Sequence, residues 1–302
     1  MDLQTRMVSQ PFQAALDEPL RFGLSTPGGL LAARELQAVA DAVGRRAEMV
    51  LCFEDFFAEP PVAAMAVARY CGADPIVTWE PWCWTDDRSP AVVQALLTGA
   101  LDEYVSRWAT EIRDWGSTAY IRFAHEFNGD CYPWTPAGGT SATAYVQAWR
   151  RLHDIFSVER VENVTWVWAP TVVGSGALAD WYPGDEYVDV LGVDGYNWGA
   201  SLPWCQWIDP EDLFGTMLDQ LRNVSSDKPI LVTEVGCAES GGRKADWIAR
   251  LVDFLGHQHG VMGFVWFEHH RATDWRIRST PESAAAMASA LRTARVSSRG
   301  AL

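Results

Sequence analysis

The chain has 302 residues, which is enough for one large domain or two ordinary ones. Hydrophobic residues make up 48% and charged residues 21%, so we expect a soluble protein with a substantial core. The net charge of −15 and the lack of a Lys and Arg cluster argue against nucleic acid as a partner, because phosphate binding depends on clustered cations.

Membrane and metal-binding classes are also disfavoured. The start, MDLQTRMVSQPFQ, has no apolar export segment, and no run reaches the roughly 18 apolar residues of a membrane helix. We therefore expect no membrane partner and a cytoplasmic location for the chain as written, or secretion if a leader has been removed. The six cysteines form no C-x-x-C pair, so the sequence predicts no metal and no other cofactor. It makes no prediction about oligomeric state.

Eight strands are predicted from short apolar runs, in this order: Leu20–Ser25, Met49–Phe53, Ile76–Trp79, Ala119–Phe123, Val164–Trp168, Val188–Val193, Ile230–Thr233 and Val261–Phe267. Helical spacing separates most of them, over Leu30–Val43, Pro61–Tyr70, Ala91–Trp115 with a break at Gly99, Ala142–Phe156, Asp212–Val224, Asp246–His257 and Pro281–Ala294. No Gly-x-Gly-x-x-Gly follows the first strand, which argues against a dinucleotide-binding sheet. The alternation predicts the α/β class and a single (β/α)8 TIM barrel over residues 20–296, after an irregular segment 1–19 and before a loose tail 297–302.

The stretch AYIRFAHEFNGDCYPW, which begins at Ala119, carries the first candidate site. Its first half is the fourth predicted strand, so Glu126 comes just past a strand end. The residues around it combine hydrogen-bonding groups with flat aromatic faces, as a sugar-binding site requires: His125, Asn128, Tyr132 and Trp134. For a lone glutamate, a solvated loop acid would be the better interpretation.

A second carboxylate changes that balance. Glu234 ends the apolar run of PILVTEVG, so it also leaves the C-terminal end of a predicted strand. In a barrel all such ends converge on one face, which carries the active site. Two carboxyl groups about 5 to 5.5 Å apart are typical of a retaining glycosidase. Glu126 would be the acid/base, with its pKa raised by aromatic surroundings and a neighbouring charge, and Glu234 the nucleophile, kept ionised by hydrogen-bond donors.

The chain resembles family 26 of the glycoside hydrolases, the β-mannanase-like barrels, from about Leu20 to Arg278. The resemblance lies in five segments: RFAHEFNGDCYPW, NVTWVWAP, YVDVLGVDGYNW, PILVTEVG and GFVWF. It implies the acid/base at Glu126 and the nucleophile at Glu234.

The resemblance also implies supporting roles. His125 would orient the sugar or the acid, Tyr196 would hydrogen-bond the nucleophile, and Arg122 would be a buried cation beneath the site. Trp266 would be the stacking platform under the reacting sugar. A core position for Trp266 and a plain ion pair for Arg122 are the alternatives.

Further sugar contacts are expected from tryptophans near strand ends. The loop that contains Glu80 and Trp82 would bind additional sugar units, and Trp168 at the end of the fifth strand is another candidate. Half of the sixteen tryptophans are expected to lie in the core instead. Where many members of the family carry a tryptophan shortly after the acid/base, this chain has Cys131, which has no stacking face.

The predicted function is therefore a retaining endo-β-glycoside hydrolase, in the first place a β-1,4-mannanase, with a β-linked polysaccharide or oligosaccharide as partner. The alternatives are a β-1,3-1,4-glucanase, a β-1,3-xylanase, an intracellular glycosidase that acts on oligosaccharides or a glycoconjugate, and a carbohydrate-binding protein without activity.

Overall fold

The computed structural model of the chain describes residues 19–85 and 92–294. The segment 1–18, residues 86–91 and the tail from residue 295 lie outside the described residues. The predicted irregular start and loose tail fall on these residues.

Eight parallel strands close into a barrel in sequence order, with β8 paired to β1. Their bounds are β1 Arg21–Ser25, β2 Met49–Asp55, β3 Asp74–Glu80, β4 Ala119–Phe123, β5 Val164–Trp168, β6 Val190–Asn197, β7 Ile230–Cys237 and β8 Val261–Phe267. The predicted TIM barrel is confirmed. The strands β2, β3, β6 and β7 end one to four residues later than predicted, because polar residues near the barrel mouth still pair with their neighbours.

Eight α-helices surround the barrel in the described residues: α1 Ala33–Val43, α2 Val62–Tyr70, α3 Val92–Thr98, α4 Asp102–Trp115, α5 Ala142–Val158, α6 Pro210–Val224, α7 Lys244–Gly256 and α8 Pro281–Thr293. The predicted break at Gly99 separates α3 from α4, and this glycine has a left-handed φ of 79°. Residues 169–189, between β5 and β6, contain a 3-10 turn at Leu178–Trp181 instead of an α-helix. None of the described helices has the length and apolar character needed to cross a bilayer.

The inside of the barrel has an apolar floor and a polar upper layer. The floor is formed by alternate residues of the strands: Met49, Leu51, Ile76, Tyr120, Val167, Val190, Leu231 and Val265. Thr78 and Arg122 lie above this floor, are paired across β3 and β4, and also point into the barrel. Asp194 on β6 does the same. Side chains of a strand alternate between its two faces, so the residues between these ones point towards the helices.

A register shift places Glu234 in the same polar layer. Val193 pairs with Val232, but the next residue, Asp194, pairs with Glu234, so Thr233 is an extra residue on β7. Such a bulge lets two consecutive side chains reach the same region. Thr233 Oγ1 donates to Asp194 Oδ1 at 2.5 Å. The expectation that Glu234 directly follows the end of its strand was therefore wrong, since β7 continues through it to Cys237.

Two predicted sugar-binding tryptophans face away from the barrel interior. Val167 and Val265 belong to the floor, so their neighbours Trp168 and Trp266 point outwards, and both are 0% exposed. Trp168 packs against Phe127, with ring centroids 4.8 Å apart, and Trp266 donates from Nε1 to the Trp275 carbonyl oxygen at 2.8 Å. Neither can stack on a sugar, because the strand alternation buries them against the helix layer.

Replacing Trp266 with Ala is expected to lower the free energy of unfolding by about 3–5 kcal/mol, because it leaves a cavity between β8 and α7. Urea unfolding followed by circular dichroism measures this loss. Trp204→Ala is the matched control, since Trp204 is 77% exposed and its removal should change stability little. Equal losses in the two variants would contradict the buried position of Trp266.

Candidate active site

A cavity of about 490 Å³ opens at the C-terminal mouth of the barrel, a volume within the range of small-ligand sites. Its walls combine three carboxylates with aromatic rings and one arginine. The lining residues are Phe53, Glu80, Trp82, Trp84, Glu126, Tyr132, Tyr196, Trp198, Glu234, Phe267, Arg271, Ala272 and Trp275. The two predicted catalytic glutamates thus share one cleft.

The backbone around Glu126 adopts an unusual conformation that turns the chain sharply after β4. Ala124 and Glu126 have left-handed φ angles of 46° and 51°, a region that non-glycine residues seldom occupy. The Glu126 amide donates to the Ala169 carbonyl oxygen at 2.7 Å, and the Gly129 amide donates to the Glu126 carbonyl oxygen at 2.9 Å. These bonds fix the turn that carries the Glu126 carboxyl.

Asn128 joins the loop after β4 to the loop after β5. Its Nδ2 donates to the Thr171 carbonyl oxygen at 2.9 Å, and its Oδ1 accepts from the Thr171 amide at 2.8 Å. Asn128 is 2% exposed and does not line the cavity. The expectation that it contacts sugar was wrong, because both of its polar groups are used inside the protein.

His125 and Trp134 form a buried layer under Tyr132. Trp134 Nε1 donates to the His125 carbonyl oxygen at 2.6 Å, and the Trp134 ring stacks on Tyr132 at 4.4 Å and 8°. Only Tyr132 of the three lines the cavity. The expectation that His125 and Trp134 contact sugar directly was therefore wrong, and the two residues support the Tyr132 ring instead. Cys131, next in the chain, is exposed and lies outside the cavity lining.

Arg122 lies at the centre of the polar layer and is 0% exposed. Its Nη1 contacts Asp194 Oδ2 at 2.6 Å, its Nη2 bonds to Glu234, and its Nε donates to Thr78 Oγ1 at 2.9 Å. Burial alone would lower the pKa of the guanidinium, but the charges of Asp194 and Glu234 outweigh it and raise the pKa above the usual value. Arg122 is thus the predicted buried cation.

Both oxygens of the Glu234 carboxylate are bound by donors. Arg122 Nη2 donates to Oε1 and the Tyr196 hydroxyl donates to Oε2. A charged donor and a phenol together stabilise the ionised form of a carboxylate. The position of Tyr196 agrees with the role that the family resemblance implies for it.

The Glu126 carboxyl has a different environment. Burial raises its pKa to about 7, the negative charge of Glu234 adds to the increase, and Arg122 opposes it. Glu126 therefore holds a proton up to neutral pH, whereas Glu234 is surrounded by donors. The cleft contains one carboxyl suited to give a proton and one suited to act as an anion.

Glu80 is a third carboxyl in the cleft and binds two tryptophans. Its Oε2 accepts from Trp82 Nε1 at 3.2 Å and from Trp84 Nε1 at 2.7 Å, and burial raises its pKa to about 7. Both rings line the cavity. Glu80 is the last residue of β3 and Trp82 lies in the loop after it, and both line the cleft, where the sequence predicted further sugar contacts.

One group of three side chains has the spacing of a metal site. Ligand atoms of His125, Asp194 and Glu234 lie within 4.8 Å of one another. The Arg122 guanidinium is bonded to both carboxylates of this group, so a cation of the protein already balances them. The donor set therefore does not fit a divalent ion while Arg122 keeps this position.

Sequence reasoning did not identify several of the cavity residues: Phe53, Trp84, Trp198, Phe267, Arg271 and Trp275. Phe53 and Phe267 follow the same inward alternation as Leu51 and Val265, so strand period two contained the signal. The others lie on loops, whose conformation the pattern of apolar residues does not encode.

Comparison with known proteins identifies the family. The sequence pattern of Glycosyl hydrolase family 26 matches residues 76–220. Endoglucanase H of Acetivibrio thermocellus is 35% identical over 224 residues, which make up 72% of this chain and 24% of that protein. The chain belongs to glycosyl hydrolase family 26.

A second relative is Mannan endo-1,4-beta-mannosidase A and B of Caldalkalibacillus mannanilyticus, with 33% identity over 144 residues, or 45% of this chain and 25% of that protein. The chain thus spans about a quarter of the length of these curated relatives.

Solved structures of the family share the barrel. A β-mannanase from Bacteroides ovatus superposes with a TM-score of 0.68 at 18% identity, over 93% of this chain and 90% of that chain. A mannanase from Bacillus subtilis gives a TM-score of 0.67 at 15% identity, over 93% of this chain and 86% of that chain. At these identities the comparison supports the fold alone.

The raised pKa of Glu126 predicts that wild type and Glu126→Gln differ in their free energy of unfolding by an amount that depends on pH. The folded state binds this proton more tightly than the unfolded chain, so the stabilisation is complete below the ordinary pKa of 4.5 and is lost as the pH rises through about 7. Above that pH wild type retains a partly buried charge that Glu126→Gln lacks. We expect the variant to be the more stable protein at pH 8, with the difference shrinking towards pH 4.5.

Urea unfolding at several pH values measures this effect. Glu111→Gln, on the exposed surface of α4, is the matched control and should show no such trend. A Glu126→Gln variant that is equally or less stable than wild type at pH 8 would contradict the raised pKa.

Proposed function

We propose that the chain is a retaining endo-β-glycoside hydrolase that acts on β-1,4-mannan. The observation that supports the proposal best is that two carboxyls in one cleft have different surroundings. Burial raises the pKa of Glu126 to about 7, while Glu234 is bound by Arg122 and Tyr196. The relatives named mannan endo-1,4-beta-mannosidase support the choice of mannan.

The reaction follows from these two environments. Glu234 attacks the anomeric carbon, and the bond to the leaving oxygen breaks while Glu126 gives that oxygen its proton. A covalent glycosyl-enzyme forms. A water molecule then attacks the same carbon, its proton passes to Glu126, and Glu234 leaves as a carboxylate. Two inversions retain the configuration, and Glu126 ends protonated as it began.

Arg122 and Tyr196 have a defined part in this cycle. Glu234 loses its negative charge when it becomes an ester and regains it on release. The two donors stabilise the anion at the start and at the end, and they hold the carboxylate in one orientation for attack. The aromatic walls, with Tyr132 and Trp82 on one side and Trp275 on the other, provide flat faces for sugar rings.

Replacing each glutamate should give a distinct kinetic result. Glu234→Gln is expected to lower kcat by about 10³-fold or more, because it removes the nucleophile, while oligosaccharide binding survives. Glu126→Gln is expected to lower kcat by about 10²- to 10⁴-fold on substrates that need a protonated leaving group. On an aryl glycoside with an acidic phenol, its first step should remain fast, and the intermediate should accumulate.

Steady-state and burst kinetics on both substrate types test these roles, and NMR of the first-formed sugar tests retention. Glu111→Gln again provides the control for loss of a carboxylate. An inverted product would exclude a nucleophilic role for Glu234.

A β-glucan is the second candidate substrate. The observation in its favour is that Endoglucanase H aligns with 72% of this chain, whereas the mannosidase of Caldalkalibacillus mannanilyticus aligns with 45%. The name belongs to the whole of that protein, of which the aligned part is 24%. The same pair of carboxyls serves any equatorial β-linkage, so the choice between mannan and β-1,3-1,4-glucan depends on contacts to the sugar hydroxyls.

A substrate panel decides between them. We expect the highest kcat/KM on β-1,4-mannan, lower values on lichenan and none on β-1,3-xylan, measured by reducing-sugar release and product profiling with Glu234→Gln as blank. A higher value on lichenan would replace mannan by β-glucan. Tight binding of a glycan without turnover of any would favour the non-catalytic alternative.

A further inference from the structure

The loop between β8 and α8, residues 268–280, contains three arginines, and two of them are neutralised locally. Arg276 contacts Asp274 at 2.6 Å, and Arg278 contacts Glu268 at 3.2 Å. Within residues 19–85 and 92–294, no carboxylate lies within ion-pair distance of Arg271. This third arginine is the one that lines the cleft.

The Arg271 side chain is held against an aromatic ring. Its guanidinium carbon lies over Phe267, 5.8 Å from the ring centroid, which is within the range of a cation–π contact. Phe267 is itself stacked on His269 at 3.9 Å and 20°, and His269 Nε2 lies 3.1 Å from Ser25 Oγ. His269 is only 4% exposed. The ring beneath the cation is thus fixed in the barrel.

The backbone that presents Arg271 is also fixed. The Arg271 amide donates to the Thr273 carbonyl oxygen at 3.1 Å, and His270 forms an antiparallel bridge with Asp274. The Trp275 amide donates to the His269 carbonyl oxygen at 2.9 Å. This short turn fixes the backbone from which the exposed Arg271 side chain reaches the cleft.

Lys244, at the start of α7, anchors the far side of the same loop. It is 1% exposed, and its Nζ donates to the carbonyl oxygens of Asp274 and Arg276 at 3.2 and 2.7 Å and to Ser279 Oγ at 2.9 Å. A buried ammonium that makes three such bonds holds the loop in one conformation. The part of the loop that follows Arg271 is therefore anchored to α7.

Among the described residues, Arg271 has no hydrogen bond or ion pair with Glu126 or Glu234, whose partners are other groups. Its guanidinium lies over Phe267, and both residues line the same cleft as the two glutamates. Arg271 is thus placed to bind a sugar unit in the cleft while it leaves the two carboxyls to their own partners.

We propose that Arg271 determines specificity at this side of the cleft by donating hydrogen bonds to two adjacent acceptor oxygens on one sugar unit. A guanidinium presents paired N–H donors in a planar fork, which matches vicinal hydroxyls or a carboxylate. The proposal depends on the proposed function in one respect, which is that the ligand is a β-linked glycan. It names a binding residue and gives Arg271 no part in bond cleavage.

The test compares Arg271→Met with Arg276→Met, both in the Glu234→Gln background so that no probe is cleaved. Arg276 is the matched control, because it belongs to the same loop and is paired with Asp274 outside the cleft lining. The probes are mannohexaose and the hexamer of β-1,4-linked mannuronate, which share linkage and ring stereochemistry and differ in the carboxylate. Isothermal titration calorimetry gives each dissociation constant.

Arg271→Met is expected to weaken binding of one hexamer about 10- to 100-fold, with Arg276→Met unchanged and Arg271→Lys intermediate. A loss confined to mannohexaose assigns the contact to vicinal hydroxyls, and a loss confined to mannuronate assigns it to a carboxylate. Equal dissociation constants for Arg271→Met and its parent on both probes overturn the proposal.

The outcome is separable from that for hydrolysis. If the protein with Glu234 intact binds a hexamer through Arg271 but cleaves no glycan, the proposed function fails and the assignment of Arg271 stands. If cleavage occurs and Arg271→Met leaves both binding and KM unchanged, the assignment of Arg271 fails alone. If neither hexamer binds the parent, the cleft is not a glycan site of this kind and the assignment falls.

Discussion

The contact of Arg122 with Asp194 and Glu234 is the interaction on which the rest of the site depends. The guanidinium is 0% exposed and connects β4 to β6 and β7, with a third bond to Thr78 on β3. Removing charges from water costs several kcal/mol per ion, and only good geometry with further hydrogen bonds offsets that cost. A barrel interior with four strands contributing to one cluster provides such geometry. Breaking it would leave Asp194 and Glu234 without a charged partner inside the barrel.

The same interaction divides the two candidate catalytic groups. Glu234 takes up one side of the guanidinium and is thereby held as an acceptor. Arg122 lowers the pKa of Glu126, but burial and the charge of Glu234 raise it by more. Burial is thus the main cause of the raised pKa of Glu126, and the guanidinium that opposes it is bonded to Glu234.

The sequence allowed the barrel and the two glutamates to be predicted, because both depend on local patterns. Apolar runs mark the strands, and an acid at the end of a run in a barrel must face the mouth. The extra residue Thr233 was not predictable, because a bulge depends on pairing with β6 and leaves no periodic trace. Trp168 and Trp266 were misassigned although the alternation of their strands already pointed them outwards. Arg271 and Trp275 depend on a loop whose shape is set by a distant lysine, Lys244.

The turn at Glu126 shows how the loop after β4 maintains a conformation that its own residues disfavour. Ala124 and Glu126 both adopt left-handed backbone angles, each of which costs about 1–3 kcal/mol in a non-glycine residue. The opposing contributions come from outside the turn: the Trp134 indole on the His125 carbonyl oxygen, and the two bonds between Asn128 and the loop after β5. Each is worth about 1 kcal/mol on its own, so several are needed together. The buried polar residues next to Glu126 therefore act on the cleft indirectly, by holding an acid where an unstrained chain would not place it.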